Sequence, residues 1–427
     1  MSVIYLDFNR TTPMAPSVVE AMKPYWQTHF MLPGQEHAHA QAIGESLEHA
    51  REGVAALAGC EPFEIVFTGG GTEANNLGIL GLVDGQRQRN GRADFSQRQL
   101  QSSRLRPASY DTQSATPDRD ANQDDQPRHP EVGNDANWQV PGHILVSELE
   151  HESVLGAAAR LAQFGWDIET VPADKNGICD AEAFESRLRD DTRLACLQLA
   201  NPVLGTIQPV RETADACHSR GVLVHCDATQ AFGKIPVDVK ALRADMVSIS
   251  GHKFYGPKGS GAIYVRRGLH LCPILFGEAR EMGLRPGAEN IPACIGLGAA
   301  ASMAARCASD VSDTLTDLRN YFCNGLISSL SNGAVLLCED AARLPNTIAI
   351  ELPGEARRIQ RAARQLVFAT AQSDSPPDEI TRALRAIQRT DYQIGRTVRF
   401  SLGWTSSHDQ VDRAIELIAD ACDTLSR

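Results

Sequence analysis

Short apolar segments recur through the middle of the chain, each followed by small or polar residues and separated by stretches of helical spacing. Residues 143–147, 194–199, 222–225, 246–250 and 262–265 read as strands, and residues 153–164, 181–189 and 211–220 as helices. Apolar strands that alternate with helices predict an α/β fold with a mainly parallel central sheet covered by helices on both faces. Ligands of such sheets sit beyond the carboxyl ends of the strands, so the residues just after each strand are where chemistry is expected.

The flanking sequence completes the outline. An apolar opening, Val3-Ile4-Tyr5-Leu6, precedes helix-like spacing over 17–57. Glu64-Ile65-Val66-Phe67 reads as a strand that runs straight into Thr68-Gly69-Gly70-Gly71-Thr72, and the apolar sequence to about residue 83 reads as a helix. From 86 to 139 the chain turns to Gln, Arg, Asp, Ser, Asn and Pro, too poor in apolar residues to offset the entropy of ordering. That stretch predicts a polar, mobile surface insertion, either a plain solvated loop or a segment that binds a partner. Past residue 291 come helix-like stretches at 291–308 and 313–330, a strand at 347–352 and helix-like residues to 366. A Ser/Pro-rich loop, a strand at 398–402 and a closing helix follow. The expected organisation is a large domain over 15–290, interrupted by 86–139, and a smaller α+β domain formed by 1–14 and 291–427.

Composition removes several classes of function. Forty-one Lys and Arg against 53 Asp and Glu leave a net charge of -12, which repels phosphate backbones and argues against nucleic acid as a partner. No apolar run reaches the ~18 residues of a membrane helix, and Met1-Ser2-Val3-Ile4-Tyr5 lacks the character of a signal peptide. Eleven cysteines, an odd count with no CxxC pair, argue against a disulfide framework or a cysteine zinc site. A soluble, cytoplasmic protein without a metal centre is expected.

Four strand-end features then converge. Thr68-Gly69-Gly70-Gly71-Thr72-Glu73 lies between a strand and a helix, where glycines let backbone N–H groups approach a phosphate. It is neither a Walker A loop nor GxGxxG, which counts against nucleotide chemistry. Asp227 ends the apolar run Leu223-Val224-His225-Cys226, and a carboxylate there needs a charged or hydrogen-bonding partner. Lys253, in Ser250-Gly251-His252-Lys253-Phe254-Tyr255-Gly256-Pro257-Lys258-Gly259, suits imine formation if partly desolvated. His151, in Glu148-Leu149-Glu150-His151, is placed to stack on a planar ring or move a proton. Taken singly, these are also a common turn, a helix cap, a surface lysine and a structural histidine. As a set they match what pyridoxal phosphate (PLP) requires: a lysine for its aldehyde, a carboxylate for its ring nitrogen and a cradle for its phosphate.

With those residues in view, the sequence resembles the cysteine desulfurases of the class V aminotransferase family, PLP enzymes of fold type I. The likeness spans nearly the whole chain outside the insertion. Tyr5-Leu6-Asp7-Phe8-Asn9-Arg10-Thr11-Thr12-Pro13 is similar to the family's YLDNNATTP, and Phe67–Asn76 to FTSGATESNN. The stretches Leu204-Gly205-Thr206-Ile207-Gln208-Pro209, Gly283-Leu284-Arg285-Pro286-Gly287 and Val398-Arg399-Phe400-Ser401-Leu402-Gly403 also match. The resemblance implies that Lys253 forms the Schiff base, Asp227 pairs with the pyridine nitrogen and His151 stacks on the ring. It places Gly71, Thr72, Ser250 and His252 at the phosphate, Gln230 near the phenolic oxygen and Arg399 on the substrate carboxylate. It further implies an amino-acid substrate, a homodimer with the site near the subunit interface and a sulfur-acceptor protein as a partner.

Three departures fall on functional positions. Where the family carries its sulfur-accepting cysteine in SGSACSS, this chain has Phe368-Ala369-Thr370-Ala371-Gln372-Ser373-Asp374, with Gln372 at the cysteine's place. An amide is no substitute for a thiolate. The family's ANNEIG reads Ala200-Asn201-Pro202-Val203-Leu204-Gly205, so Pro202 replaces an asparagine that would contact the cofactor's phenolic oxygen. A threonine expected to reach phosphate across the dimer is Ala288. Two functions stand against each other. One is a PLP enzyme acting on cysteine or a related amino acid through Lys253 without the usual persulfide cysteine. The other is a non-catalytic homologue that survives as a binding or scaffold protein.

Overall fold

The computed structural model describes residues 3–91, 138–330, 333–372 and 376–426. After a short first strand, β1 (Ile4–Tyr5), the chain builds a sheet of seven strands in the order β2-β8-β7-β6-β5-β3-β4. These are β2 (Ile65–Thr68), β3 (His143–Ser147), β4 (Asp167–Val171), β5 (Thr192–Cys196), β6 (Leu223–Asp227), β7 (Met246–Ser250) and β8 (Gly261–Val265). From β7 across to β4 every pairing is parallel, while β8 runs antiparallel to both β7 and β2.

The continuous apolar runs follow from burial on both faces. Strands β2, β3, β6 and β7 are buried at every residue, and alternate side chains feed different cores. Leu145, Val224 and Val247 point into one cluster; Ile144, Val146, Leu223 and Met246 point into the other. Strand β4 escaped the sequence reading because it is polar. Its Asp167 and Glu169 pair with Arg189 at 2.5 and 2.6 Å, charges that suit a strand at the edge of a sheet.

The helical stretch expected over 17–57 is broken. Helices Pro16–Met22 and Pro24–Gln27 end before the turn that holds Pro33 and Gly34, and helix Ala38–Ala58 starts anew with His37 capping Ala40 N at 3.1 Å. After β2, helix Gly71–Asn76 passes through a π turn at Leu77–Gly81 into helix Leu82–Gly91. Most of the expected insertion, residues 92–137, lies outside the described residues. Its two ends meet in the fold: Arg87 Nε donates to the Trp138 carbonyl at 3.1 Å, and the Trp138 ring packs on Trp166.

The remaining strands are β9 (Val335–Leu336), β10 (Thr347–Glu351), β11 (Leu366–Val367), β12 (Ala369–Thr370) and β13 (Thr397–Ser401). They form a four-stranded antiparallel sheet ordered β12-β13-β10-β9, while β11 pairs in parallel with β1. A separate core fills this part, with the Phe400 ring 5.0 Å from both Phe322 and Phe368. The two helix-like stretches after 291 are one helix, Ile291–Ser329, bent by 74° between Cys307 and Asp310. Leu297 and Ala300 in its first half pack into the core of the large sheet, whereas Leu318, Phe322 and Leu326 pack into the smaller core. Among the described residues no single helix is long and apolar enough to cross a membrane.

Candidate active site

The carboxyl ends of β3, β5, β6 and β7, the glycine turn after β2, the N-terminal segment and β13 surround a cleft of about 950 Å³. Gly71, Thr72, His151, Asp227, Gln230, Ser250, His252, Lys253 and Arg399 all line it. Residues far apart in sequence therefore meet at the strand ends, as the parallel topology requires.

The glycine turn is shaped by close approach. Gly70 has φ +147, a conformation that side chains rarely adopt, and a Cβ at Gly71 would stand 2.7 Å from Thr229 Cγ2. Only glycine lets this turn lie against Thr229 and Ser250, and the first helical N–H groups beyond it have no partner within the helix. The residues thus fit a bound phosphate. His252 completes that side: its Nδ1 meets Thr11 Oγ1 at 3.1 Å, which leaves the other ring nitrogen for the cleft. Burial, with Lys253, Lys258 and Lys234 nearby, lowers the His252 pKa to about 4, so its ring is neutral at physiological pH.

Asp227 is held at both oxygens. Thr229 N donates to Oδ1 at 2.9 Å and Asn75 Nδ2 to Oδ2 at 2.7 Å, which orients the carboxylate toward the cleft. Behind it sits Glu150, whose carboxyl pKa is raised well above the usual range by burial and by the charge of Asp227. His151 caps helix Glu152–Ala162, and its Nδ1 accepts from Ser153 N at 3.1 Å. That bond fixes the plane of a half-buried ring.

Lys253 ends a short 3-10 turn directly after β7. Its amine donates to the carbonyls of Asn9 at 2.7 Å and Arg10 at 3.2 Å. Burial lowers its pKa to about 8; Arg399 and Arg10 act in the same direction, while Glu379 and Asp227 oppose them. Arg399 is 5% exposed on its side chain and pairs with Asp7 at 2.5 Å, with Nη1 donating to the Pro202 carbonyl at 3.2 Å.

The departures noted in the sequence have clear places. Pro202 lines the cleft and offers its carbonyl to Asn9 Nδ2 at 3.0 Å as well as to Arg399. Asn201 does not take over the lost contact: it lies outside the lining, its Nδ2 donates to the Leu149 carbonyl at 3.3 Å and its Oδ1 caps its own turn at Val203 N and Leu204 N. Ala288 is exposed. Gln372 is exposed and outside the lining, and no cysteine lines the cleft. Cys179, Cys217 and Cys294 are buried, with burial pushing each thiol up to about 12.

Sequence reasoning passed over Asn9, Asn75, Lys234 and Glu379. Lys234 is a buried amine that bonds Gln230 Oε1 at 2.8 Å and Asn9 Oδ1 at 3.0 Å, and burial holds its pKa well below the usual value. Its place in Phe232-Gly233-Lys234-Ile235-Pro236, beside Gln230, was the available signal.

A strand-end amine, a strand-end carboxylate, a helix-capping histidine and a glycine turn, set at the ends of this sheet, match the PLP enzymes of fold type I. The chain belongs to the aminotransferase class-V family, whose family model matches residues 4–106 and 132–414. Cysteine desulfurase IscS 1 of Archaeoglobus fulgidus is 31% identical over 428 residues, covering 99% of this chain and 97% of that protein. Cysteine desulfurase IscS of Rickettsia felis is 33% identical over 433 residues, covering 99% of this chain and 92% of the relative. A solved NifS-like protein superposes with a TM-score of 0.79 at 26% identity, covering 99% of each chain. The cofactor is pyridoxal phosphate.

The depressed lysine gives a measurable pH dependence. Cyanate reacts with neutral amines, so carbamylation of Lys253 in cofactor-free protein should rise through a midpoint near pH 8. At pH 7 about a tenth of these amines are then neutral, against well under a thousandth for a solvated lysine. Peptide mass spectrometry across pH 6–10 reads the midpoint, and a value near 10.4 would show that the amine is solvated.

Proposed function

We propose that this protein is an enzyme acting on an α-amino acid, cysteine or a close relative of it, with Lys253 carrying the cofactor. The reaction proceeds without a sulfur-carrying cysteine on this chain. The observation that carries the reading is the lysine amine lowered to about 8 in the same cleft as buried Arg399, with no cysteine in the lining. The names of the Archaeoglobus and Rickettsia relatives support cysteine or a chemical neighbour as the substrate.

Each residue then has work that its position suits. Gly71, Thr72, Ser250 and neutral His252 hold the phosphate, and Asp227, oriented by Asn75 and Thr229, faces the ring nitrogen. His151 lies on the ring, and Gln230, tethered by Lys234 and Asn9, keeps one amide N–H for the phenolic oxygen. Arg399 takes the substrate carboxylate, for which its planar fork is suited. Bound here, PLP supplies an electron sink for bonds broken at the substrate's Cα. Lys253 Nζ is the base that takes the Cα proton and returns it. The thiolate of a free thiol or of an acceptor protein attacks the substrate's sulfur directly: an S–S bond forms as the C–S bond breaks, and the electron pair of the broken bond stays on the substrate's Cβ, which then takes up a proton.

We also propose a homodimer. Phe276 is 90% and Phe30 69% exposed, and Arg280 Nη1 reaches the Pro33 carbonyl at 3.3 Å, bringing their two segments together. A second copy would cover such apolar surface.

Adding PLP should produce a visible absorption band, and borohydride reduction should leave a cofactor-modified peptide at Lys253. Replacing Lys253 with Ala should remove both. A saturated wild-type protein without the band would sink the enzyme reading. A second experiment addresses the missing thiol. With cysteine as substrate, wild type should release sulfide only when a reducing thiol is added, and no persulfide should form on the chain. Because position 372 is tied at both backbone groups and lies outside the lining, Gln372→Cys alone should not restore a persulfide on the protein, as read by alkylation and mass spectrometry. A persulfide on the wild-type chain would overturn the proposed sulfur route.

A further inference from the structure

Glu379 begins helix Glu379–Ala386, whose first turn is capped by Asp378 Oδ1 accepting from Thr381 N at 2.8 Å. The helix is tied across the cleft, since Arg382 pairs at 2.6 Å with Glu152, the residue after His151. Glu379 is thereby presented to the same cleft as Lys253 and Arg399.

Among the described residues, two buried polar atoms of this cleft lack a partner. Glu379 Oε1 is buried with no hydrogen bond, and so is Arg399 Nε, although both Nη atoms of that guanidinium are engaged. A buried donor or acceptor without a partner is costly, and such atoms mark where a ligand completes the bonding. The other carboxylates of the lining are committed. Asp227 accepts from Asn75 and Thr229, and Glu73 accepts from Gly69 N at 2.8 Å and pairs with Arg285 at 3.2 Å. The unmet acceptor belongs to an anion and the unmet donor to a cation. An α-amino acid brings the matching pair, an ammonium and a carboxylate.

We propose that Glu379 is a positioning residue for the amino group of the substrate, so that an α-amino acid is recognised as a zwitterion between Glu379 and Arg399. This rests on the reading that the cleft acts on an amino acid. It adds a recognition element on the amine side that needs no thiol. The location is consistent with the surroundings of Lys253, whose ammonium Glu379 stabilises more than any other neighbour does. The remaining charges facing that lysine are Asp227 after β6, Arg399 on β13 and Arg10 on the N-terminal segment, with Lys234 and His252 nearby. An amine that enters to exchange with Lys253 meets the same carboxylate.

The test compares two probes on the cofactor-loaded protein by titration calorimetry. One is 2-aminoisobutyrate, an amino acid without a Cα hydrogen; the other is isobutyrate, the same skeleton without the amine. Glu379→Gln should weaken 2-aminoisobutyrate about 10- to 100-fold, the loss of one charge-assisted hydrogen bond, and leave isobutyrate within about twofold. Glu379→Asp should recover part of the loss, and Arg399→Lys should weaken both probes. Unchanged binding of 2-aminoisobutyrate, or equal weakening of both probes by Glu379→Gln, overturns the assignment. Melting curves of the variants identify any that fail to fold. A second readout uses cofactor-free protein, where Glu379→Gln should move the Lys253 carbamylation midpoint to lower pH because the ammonium loses its anion. If the protein takes up no PLP, the enzyme reading fails, while an unmoved midpoint separately overturns the role of Glu379.

Discussion

The site is organised around one buried asparagine. Asn9 is 1% exposed, and its hydrogen bonds reach into several of the elements that frame the cleft. Its carbonyl accepts from Lys253 Nζ at 2.7 Å and Gln230 Nε2 at 2.9 Å. Its side-chain oxygen accepts from Lys234 at 3.0 Å and Asn346 at 3.1 Å, and its Nδ2 donates to the Pro202 carbonyl and to Thr347 Oγ1. The backbone N–H goes to Ser401 Oγ at 2.9 Å. One residue thus joins the turns after β6 and β7, the loop after β5, and strands β10 and β13. Buried networks of this kind fix a single arrangement when every member is satisfied, and breaking one bond strands several groups at once. The N-terminal segment, pinned by β1 on β11 and by Asn9 at the cleft, holds the large sheet and the smaller sheet in register around Lys253.

Electrostatics follow from that enclosure. Burial drives the amines toward neutrality: Lys253 to about 8 and Lys234 well below its usual value, while the His252 ring falls to about 4. The same burial, with the charge of Asp227, raises the Glu150 carboxyl well above its usual range. Burial thus disfavours a second negative charge behind the strand-end carboxylate that faces the cleft. In this cleft desolvation is the first influence on the amines and neighbouring charge the second.

How much of this was legible in the chain depended on whether a residue's task shows locally. Strands β3, β6, β7 and β8 announce themselves as apolar runs because both their faces are covered, and Asp227 and Lys253 stand out as charges at the ends of such runs. The residues of the cradle follow from glycines between a strand and a helix. Strand β4 is invisible to the same reading because its outer residues are polar, and β1, β11 and β12 are too short to show a period. Asn9 and Lys234 act through contacts hundreds of residues or a turn away, and neither an asparagine after an apolar opening nor a lysine in a Gly-Lys turn signals burial on its own. The break at Pro33 and Gly34 was masked by apolar spacing that continues on both sides of it.

The loop that departs most from the resembling family shows how the chain holds together without its cysteine. Gln372 is secured at both backbone groups: its N–H donates to Asp378 Oδ2 at 3.0 Å and its carbonyl accepts from Thr381 Oγ1 at 3.2 Å. The preceding carbonyl, of Ala371, accepts from Arg357 Nε at 3.1 Å. Asp378 therefore does two things at once, capping the helix with one oxygen and holding Gln372 with the other. A carrier of sulfur has to travel between the substrate and an acceptor, and a residue tied in this way, with its side chain outside the lining, is poorly placed to do so. The same capped turn delivers Glu379 into the cleft. In this chain the segment that would supply a nucleophile supplies a fixed carboxylate, and in the proposed reaction the chemistry rests with Lys253, Asp227 and Arg399.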